Sequence, residues 1–381
     1  MIGEQVKEAR KRRRLSLRAL DAQIRERGIV DGLGYSALQR IEAGRRKVAT
    51  HELAELATVL ETSIASLLGA RDRSASLNLA ARVSDHPADD TLSAVKARVV
   101  EVLEAQDLLG RLVAPLPGVT PLDLPNVQAS RAGGRRLADV VRDKLNLGMA
   151  PISDLATLIE ESLGALVFKE PLPSETSGFC AIDDDAAVIL VNSEHTVGRQ
   201  NFTLAHELCH LLMRDVDTLE VLSSVENTRT PKEDRADDFA AHFLAPSDAL
   251  LAAVGPSGAR AGDVVRLAHR FGVSLSAMGN RLRSLKLLAP GADDELRSGH
   301  RRLAELNGLS ADYNAQEARR GSRTPSTRLT DLVLTAFEAG QVGIGLVATV
   351  TGERDLDRLR MVLQDSGPEP DASFEGVMSL A

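Results

Sequence analysis

In Phe202-Thr203-Leu204-Ala205-His206-Glu207-Leu208-Cys209-His210, two histidines stand four residues apart with a glutamate after the first. Phe202 to Ala205 read as the start of a helix. On an α-helix, positions i and i+4 lie about 40° apart around the axis, so both imidazoles project from one face. Two neutral imidazoles at that spacing can hold one Zn2+, and Glu207 is placed to draw a proton from a water on that ion. His-Glu-x-x-His is a short pattern that chance also produces, so its weight depends on what converges on it.

A second helix supplies that weight. In Glu233-Asp234-Arg235-Ala236-Asp237-Asp238-Phe239-Ala240-Ala241-His242-Phe243-Leu244-Ala245-Pro246, Ala236, Phe239, Ala240, Phe243 and Leu244 form an apolar stripe at helical spacing. Glu233 and Asp237 are again four apart and flank that stripe, so both carboxylates are expected at one site. A catalytic zinc takes three protein ligands and keeps one position open. Glu233 is the expected third ligand, and Asp237 the group that hydrogen-bonds the far nitrogen of a ligand histidine. Without the upstream motif, the two acids would read as an ordinary charged helix face.

Upstream, helices are expected at 136–146 and 152–162. The runs at 164–168, 178–182 and 187–191 then read as strands. Three short strands directly ahead of the metal helix predict a small sheet in an α+β, mostly helical fold. An exposed edge strand of that sheet can pair with an extended peptide beside the metal.

Two longer patterns now carry a resemblance. Gly198-Arg199-Gln200-x-Phe202-Thr203-Leu204-Ala205-His206-Glu207-Leu208-x-His210 and Glu233-x-x-Ala236-Asp237-x-Phe239-Ala240-x-x-Phe243-Leu244-x-Pro246, with the strand ending Val188-Ile189-Leu190-Val191-Asn192, are similar to the ImmA/IrrE-type zinc metallopeptidases. The resemblance covers roughly residues 135–250, with a helical extension to about 290. It implies a cytoplasmic zincin-like peptidase that cleaves a helix-turn-helix repressor. It also implies His206, His210 and Glu233 as zinc ligands, Glu207 as general base and Asp237 as the group that orients a ligand from behind. Cys209 stands where glycine is usual, and Met213-Arg214 where many members carry a further histidine. Neither change removes a ligand. The chemistry implied is hydrolysis by a metal-activated water. Donors for the developing oxyanion are sought among His195, Arg199 and His242, although His242 lies about 180° around its helix from Glu233. His51, His86, His269 and His300 show no partner pattern and are expected to be structural or exposed.

Charge divides the chain. Residues 1–50 carry 13 Lys/Arg against 6 Asp/Glu, although the whole chain is at −8. A basic end on an acidic body is the electrostatic footprint of a nucleic-acid-binding module. Helices are expected from Val6 to Arg14 and from Leu17 to about Arg27, the second capped by Ser16. A third follows with Ser36 as N-cap and Gly44 as its stop, and a fourth carries Leu53, Leu56 and Leu60.

Arg40-Ile41-Glu42-x-Gly44-Arg45 and Leu53-x-x-Leu56-Ala57-x-x-Leu60 resemble the Xre, lambda-repressor-like helix-turn-helix family over residues 3–69. The segment between the second and third helices is longer than the usual tight turn. By position, Tyr35, Ser36, Ala37, Gln39 and Arg40 are expected to face base edges of a double-stranded operator. Arg18, Arg45, Arg46 and Lys47 are expected on phosphates. The competing reading of this head is a helical protein-interaction module.

The remaining chain is less informative. At 381 residues two or three domains are expected. The boundaries are 1–69 for the helix-turn-helix head, 70–134 for a linker with one helix, 135–290 for the peptidase domain and 291–381 for a helical C-terminal region. The helix near 91–112 reads as a spacer or a dimerisation element, which leaves a homodimer open. Residues 262–288 look like a second helix-turn-helix, more in keeping with packing than with DNA. Residues 291–325 are polar and poorly patterned. Two helices are expected across Leu329 to Leu359, and the last fifteen residues are expected to be disordered. Two cysteines exclude a disulfide framework. No run reaches the ~18 apolar residues of a bilayer span, so a cytoplasmic protein with no membrane partner is expected. The functional expectation is a DNA-binding regulator with zinc endopeptidase activity on a repressor-type protein. The alternative is a transcription factor whose zincin-like domain senses a ligand or metal without cutting.

Overall fold

A computed structural model describes residues 2–27, 33–60, 62, 67, 78–83, 89–174, 176–183, 186–215, 230–297 and 299–365. Helices α1 (Ile2–Arg12), α2 (Leu17–Arg27), α3 (Tyr35–Glu42) and α4 (Thr50–Val59) open the chain. Their apolar positions share one core, with Val6 and Ala9 from α1, Leu20 and Ile24 from α2, Leu38 and Ile41 from α3, and Leu53 and Leu56 from α4. The Ser16 hydroxyl accepts the Ala19 N–H at 3.1 Å and caps α2. Ser36 does not cap α3, because that helix begins one residue earlier, at Tyr35, with Gly34 in the cap position. Two bonds of 2.6 and 2.8 Å from Arg10 hold Glu42 at the end of α3. The long α2–α3 connection at 28–32 lies outside the described residues.

The sheet has four strands, β1 (Asn78–Val83), β2 (Leu166–Glu170), β3 (Thr176–Asp183) and β4 (Ala186–Asn192), in the order β1-β3-β4-β2. β3 runs antiparallel to both β1 and β4, and β4 is parallel to β2. Three of these match the expected strands. The fourth, β1, comes from the stretch expected to be linker. It escapes a sequence reading because Asn78-Leu79-Ala80-Ala81-Arg82-Val83 holds a single β-branched residue and no aromatic one.

Alternation along the strands places helices on both faces. In β4, Ala187, Ile189 and Val191 enter one core while Val188 and Leu190 enter the other. Cys180 parts from Phe179 and Ala181 in β3, and Val167 from Leu166 and Phe168 in β2, in the same way. Strands buried on both sides read as unbroken apolar runs, which is why they were legible.

On one face lie α6 (Arg131–Lys144), α7 (Leu155–Leu163), α8 (Val197–Met213), α9 (Pro231–Leu244), α10 (Ser247–Ala253), α11 (Ala261–Phe271) and α12 (Leu275–Ser284). Helices α11 and α12, which resembled a second helix-turn-helix, bury Val264, Ala268, Phe271, Met278 and Leu282 in this core. The other face is covered by α5 (Asp89–Leu112) with α16 (Thr327–Glu338), α17 (Ile344–Thr351) and α18 (Leu356–Asp365).

Helix α5 packs on the sheet of its own chain. Its Val95, Val99, Val102 and Leu103 stripe is spent inside its own chain, and Arg98 ties it to Glu170 of β2 at 2.7 Å and to the Thr349 carbonyl at 2.6 Å. Three helices, where two were expected, span residues 327–365. Residues 291–325 carry the short helices α13 (Ala292–Leu296), α14 (His300–Leu306) and α15 (Ser310–Ala318), with Leu303 and Ala304 packed on Ala261 and Val265. No described helix is long and apolar enough to cross a membrane.

Candidate metal centre

Helix α8 is fixed at both ends. At its start the Arg199 guanidinium donates to the Ser177 hydroxyl of β3 at 2.9 Å. The Gln200 amide donates to the carbonyls of Ser193 and His195 at 2.9 and 2.7 Å. At its end, Arg214 takes a left-handed conformation with φ of 49°. The chain thereby reverses, and the Asp215 N–H bonds back to the His210 carbonyl at 3.0 Å. That reversal returns the Asp215 carboxylate to the side of the second histidine.

Helix α9 starts with the Thr230 hydroxyl accepting the Glu233 N–H at 3.2 Å and Pro231 in the first turn. It packs on α6 at Gly134, where a Cβ would come within 2.2 Å of the Arg235 carbonyl oxygen and 2.9 Å of the Phe239 nitrogen. Only glycine allows that approach, and it sets how far α9 reaches toward α8.

Together the two helices close a triangle. His206 Nε2 and His210 Nε2 are 3.1 Å apart. The Glu233 carboxylate presents Oε2 to His206 at 3.1 Å and Oε1 to His210 at 3.2 Å. Around an ion with bonds of about 2.0–2.1 Å in a tetrahedral frame, ligand atoms stand about 3.3 Å apart. The donor set thus fits one divalent cation, and among the described residues it is the group of three His, Cys, Asp or Glu side chains close enough to hold one. The His206 side chain is 1% exposed and that of Glu233 33%, so the triangle is closed behind the histidines and open beside the carboxylate.

The far nitrogens also meet carboxylates. His206 Nδ1 donates to Asp237 at 3.0 Å, which turns the Nε2 lone pair toward the shared point. His210 Nδ1 lies 3.7 Å from Asp215, an ion-pair distance, and Arg235 grips the same Asp215. Burial works against charge on His210, yet Asp215, Glu233 and the charge of Glu207 outweigh it and lift its pKa to about 10. Burial likewise opposes charge on Glu233, and the two imidazoles more than reverse it and hold the group well below the carboxylate range. A pocket that stabilises positive charge this strongly is one that a divalent cation can enter by displacing protons.

Glu207 is fully buried beside β3. A Cβ at Gly178 would lie 3.7 Å from the Glu207 Cγ and 2.6 Å from the Thr203 Cγ2, so the strand and the metal helix touch there. Burial, followed by the charge of Glu207, pushes the Cys180 thiol far up. Burial pushes Cys209 up to about 12. Both thiols are protonated and inert at neutral pH, which leaves Cys209 as a small core residue.

The three oxyanion candidates separate. Arg199 stays at β3 through Ser177, and His195 Nε2 bonds the Ser174 carbonyl at 3.3 Å. His242 faces away, donating to the Asp238 carbonyl at 2.8 Å near Arg281. His269 and His300 do have a partner, each other: their Nε2 atoms are 3.1 Å apart across α11 and α14. His51 and His86 lie outside what the structure describes. In the head, Arg18, Tyr35, Ser36, Gln39, Arg40, Arg45 and Lys47 are exposed and Ala37 is half-buried. Arg46 differs, because its guanidinium is engaged with Glu52 at 2.6 Å.

Asp215 and Arg235 belong to this centre and were not found in the sequence. Their one signal is an acid just past the helix end, five residues beyond the second histidine.

No curated protein matches the chain. A solved structure described as the crystal structure of a PrgX/iCF10 complex covers 97% of this chain and 98% of its own at 11% identity. Its TM-score of 0.16 carries no argument about the fold. Residues 160–283, which span α8, α9 and all three converging side chains, match the peptidase family Peptidase_M78, the IrrE N-terminal-like domain.

Proposed function

We propose that the chain is a zinc-dependent endopeptidase joined to a DNA-binding head, and that it cleaves a regulatory protein of repressor type. The observation that carries this is the His206–His210–Glu233 triangle with Glu207 buried next to it. His206, His210 and Glu233 would hold Zn2+, favoured over harder ions by two imidazole donors. Zn2+ bound there supplies Lewis-acid polarisation of a peptide carbonyl and acidifies a coordinated water.

The protein's own part is proton handling and positioning. Glu207 takes the proton of the attacking water and delivers it to the leaving amine. Asp237 keeps the His206 imidazole in the tautomer that aims Nε2 forward, and the Asp215 carboxylate lies at ion-pair distance behind the His210 ring. Arg199, beside the Gly178 stretch of β3, is the donor best placed to meet negative charge developing on a substrate held there.

For the head, exposed basic and polar groups on and after α3 support operator binding. Tyr35, Ser36, Ala37, Gln39 and Arg40 would face bases, and Arg18, Arg45 and Lys47 phosphates. Arg46, tied to Glu52, would shape the turn instead.

Glu207→Gln tests the peptidase directly. We expect unchanged metal content and loss of at least about 10³-fold in cleavage of a co-expressed repressor-type protein, and unaltered cleavage would exclude this mechanism. A pure sensor would respond to its ligand equally well with glutamine at that position. For the head, Arg40→Ala should weaken binding to an operator fragment by about 1–3 kcal/mol more than binding to random DNA. Equal losses would make Arg40 a phosphate contact.

A further inference from the structure

β3 borders the working side of α8, since Gly178 packs on Thr203 and Glu207. One long side of β3 is taken by β4. The other is where an incoming peptide would add a strand, because the N–H and C=O groups of an open edge offer an extended chain a ready ladder.

That side is already filled. β1 runs along it antiparallel, from Asn78 opposite Ile182 to Arg82 opposite Gly178. The register then slips. Val83 stands opposite Thr176, so Ser177 is skipped at the point where β3 passes Glu207. Bulges of this kind collect beside active sites, where they end pairing or re-aim a side chain. The skipped Ser177 is the residue held by Arg199. β1 is also short and poor in strand-forming residues, as fits an occupant that can be exchanged.

We propose that β1 is a resident strand in the substrate's place. On the peptidase reading, on which this rests, the site takes an extended segment paired antiparallel with β3. In the resting chain residues 78–83 hold that position and must leave before a substrate enters. The same strand is the covalent path from the helical head to α5, so its release is the step through which the head can govern the site.

Asn78 stands directly opposite Ile182, and opposed residues of an antiparallel pair have Cα atoms about 4.5–5.5 Å apart, within disulfide reach. Oxidising the full-length Asn78→Cys/Ile182→Cys chain therefore staples β1 to β3, and reduction releases it. A second variant replaces residues 78–83 with alternating glycine and serine. The probe is a fluorescein-labelled peptide of the chain's own residues 76–85, followed by anisotropy with Glu207→Gln present so that it is not consumed.

We expect the stapled form to bind at least about tenfold more weakly than the same protein after reduction. The glycine-serine form should bind at least about tenfold more tightly than the parent, as the fraction of chains with an open edge rises. Amide exchange along 176–183 should speed up in that form and slow in the stapled one. Equal probe binding by parent, stapled and replaced forms, including no binding by any, would overturn the proposal. If the binding differences appear while the same forms with Glu207 restored cleave nothing, the resident strand stands and the peptidase reading falls.

Discussion

At the scale of single residues, the candidate centre pairs each histidine with two carboxylates, one on Nε2 and one near Nδ1. Glu233 faces both Nε2 atoms, while Asp237 and Asp215 serve one far nitrogen each. Removing such an outer partner loosens the ligand's tautomer and orientation without touching the coordination sphere. Asp237→Asn should weaken Zn2+ affinity by about 10–100-fold in competition against a chromophoric chelator, and an unchanged affinity would show that His206 is oriented by other means. Asp237 was legible because it stands four residues after Glu233 on a helix whose buried stripe fixes its facing. Asp215 was not, because a left-handed residue, Arg214, delivers it. A single backbone conformation at a helix end leaves no periodic trace.

At the scale of elements, α9 has two working sides. One carries Glu233 and Asp237, and the opposite one carries His242, packed near Arg281 and Arg135. Burial first, and then the charge of Arg281, push His242 down to about 4. Its ordinary value in an unfolded chain is about 6.5. Between those limits the unfolded chain binds the proton and the folded chain does not, so stability rises with pH across that window and is lost as pH falls toward 4. His242→Gln should shrink the difference in unfolding free energy between pH 7 and pH 4.5 by about 2 kcal/mol, measured by denaturant titration. An equal difference in both proteins would mean that His242 protonates without cost. Elements with strong patterns, α8, α9 and the strands β2, β3 and β4, are readable from the sequence. β1 is not, because its place depends on the bare β3 edge and hardly on its own residues. For α5 the apolar stripe was plain, but periodicity is silent on whether a stripe meets its own chain or another.

At the scale of the whole molecule, the sheet between two helical layers explains why chemistry and architecture occupy different parts of the chain. The layer with α8 and α9 carries the candidate centre, while α5 and α16–α18 bury the opposite face of the same strands. That second layer joins residues before and after the matched family segment, and Arg98 bridges them through Glu170 and the Thr349 carbonyl. Ending the chain after residue 325 would bare Leu166, Phe168, Phe179, Val188 and Leu190, which are now buried. An exposed apolar face of that kind drives association. The truncated protein should be recovered as aggregate or bind a hydrophobic dye strongly. A soluble, cooperatively unfolding product would show that the C-terminal helices are an ornament on a core complete without them. Sequence alone could not anticipate this layer, since its two halves are more than 200 residues apart and neither carries a motif.

One ion shared by residues from two helices is what the proposed chemistry requires, and metal analysis of dialysed protein tests that. Parent and Glu207→Gln chains should each retain one equivalent of zinc, while His210→Ala and Glu233→Ala lose it, with folding checked by circular dichroism. A folded Glu233→Ala protein that keeps a full equivalent at undiminished affinity would contradict the shared site.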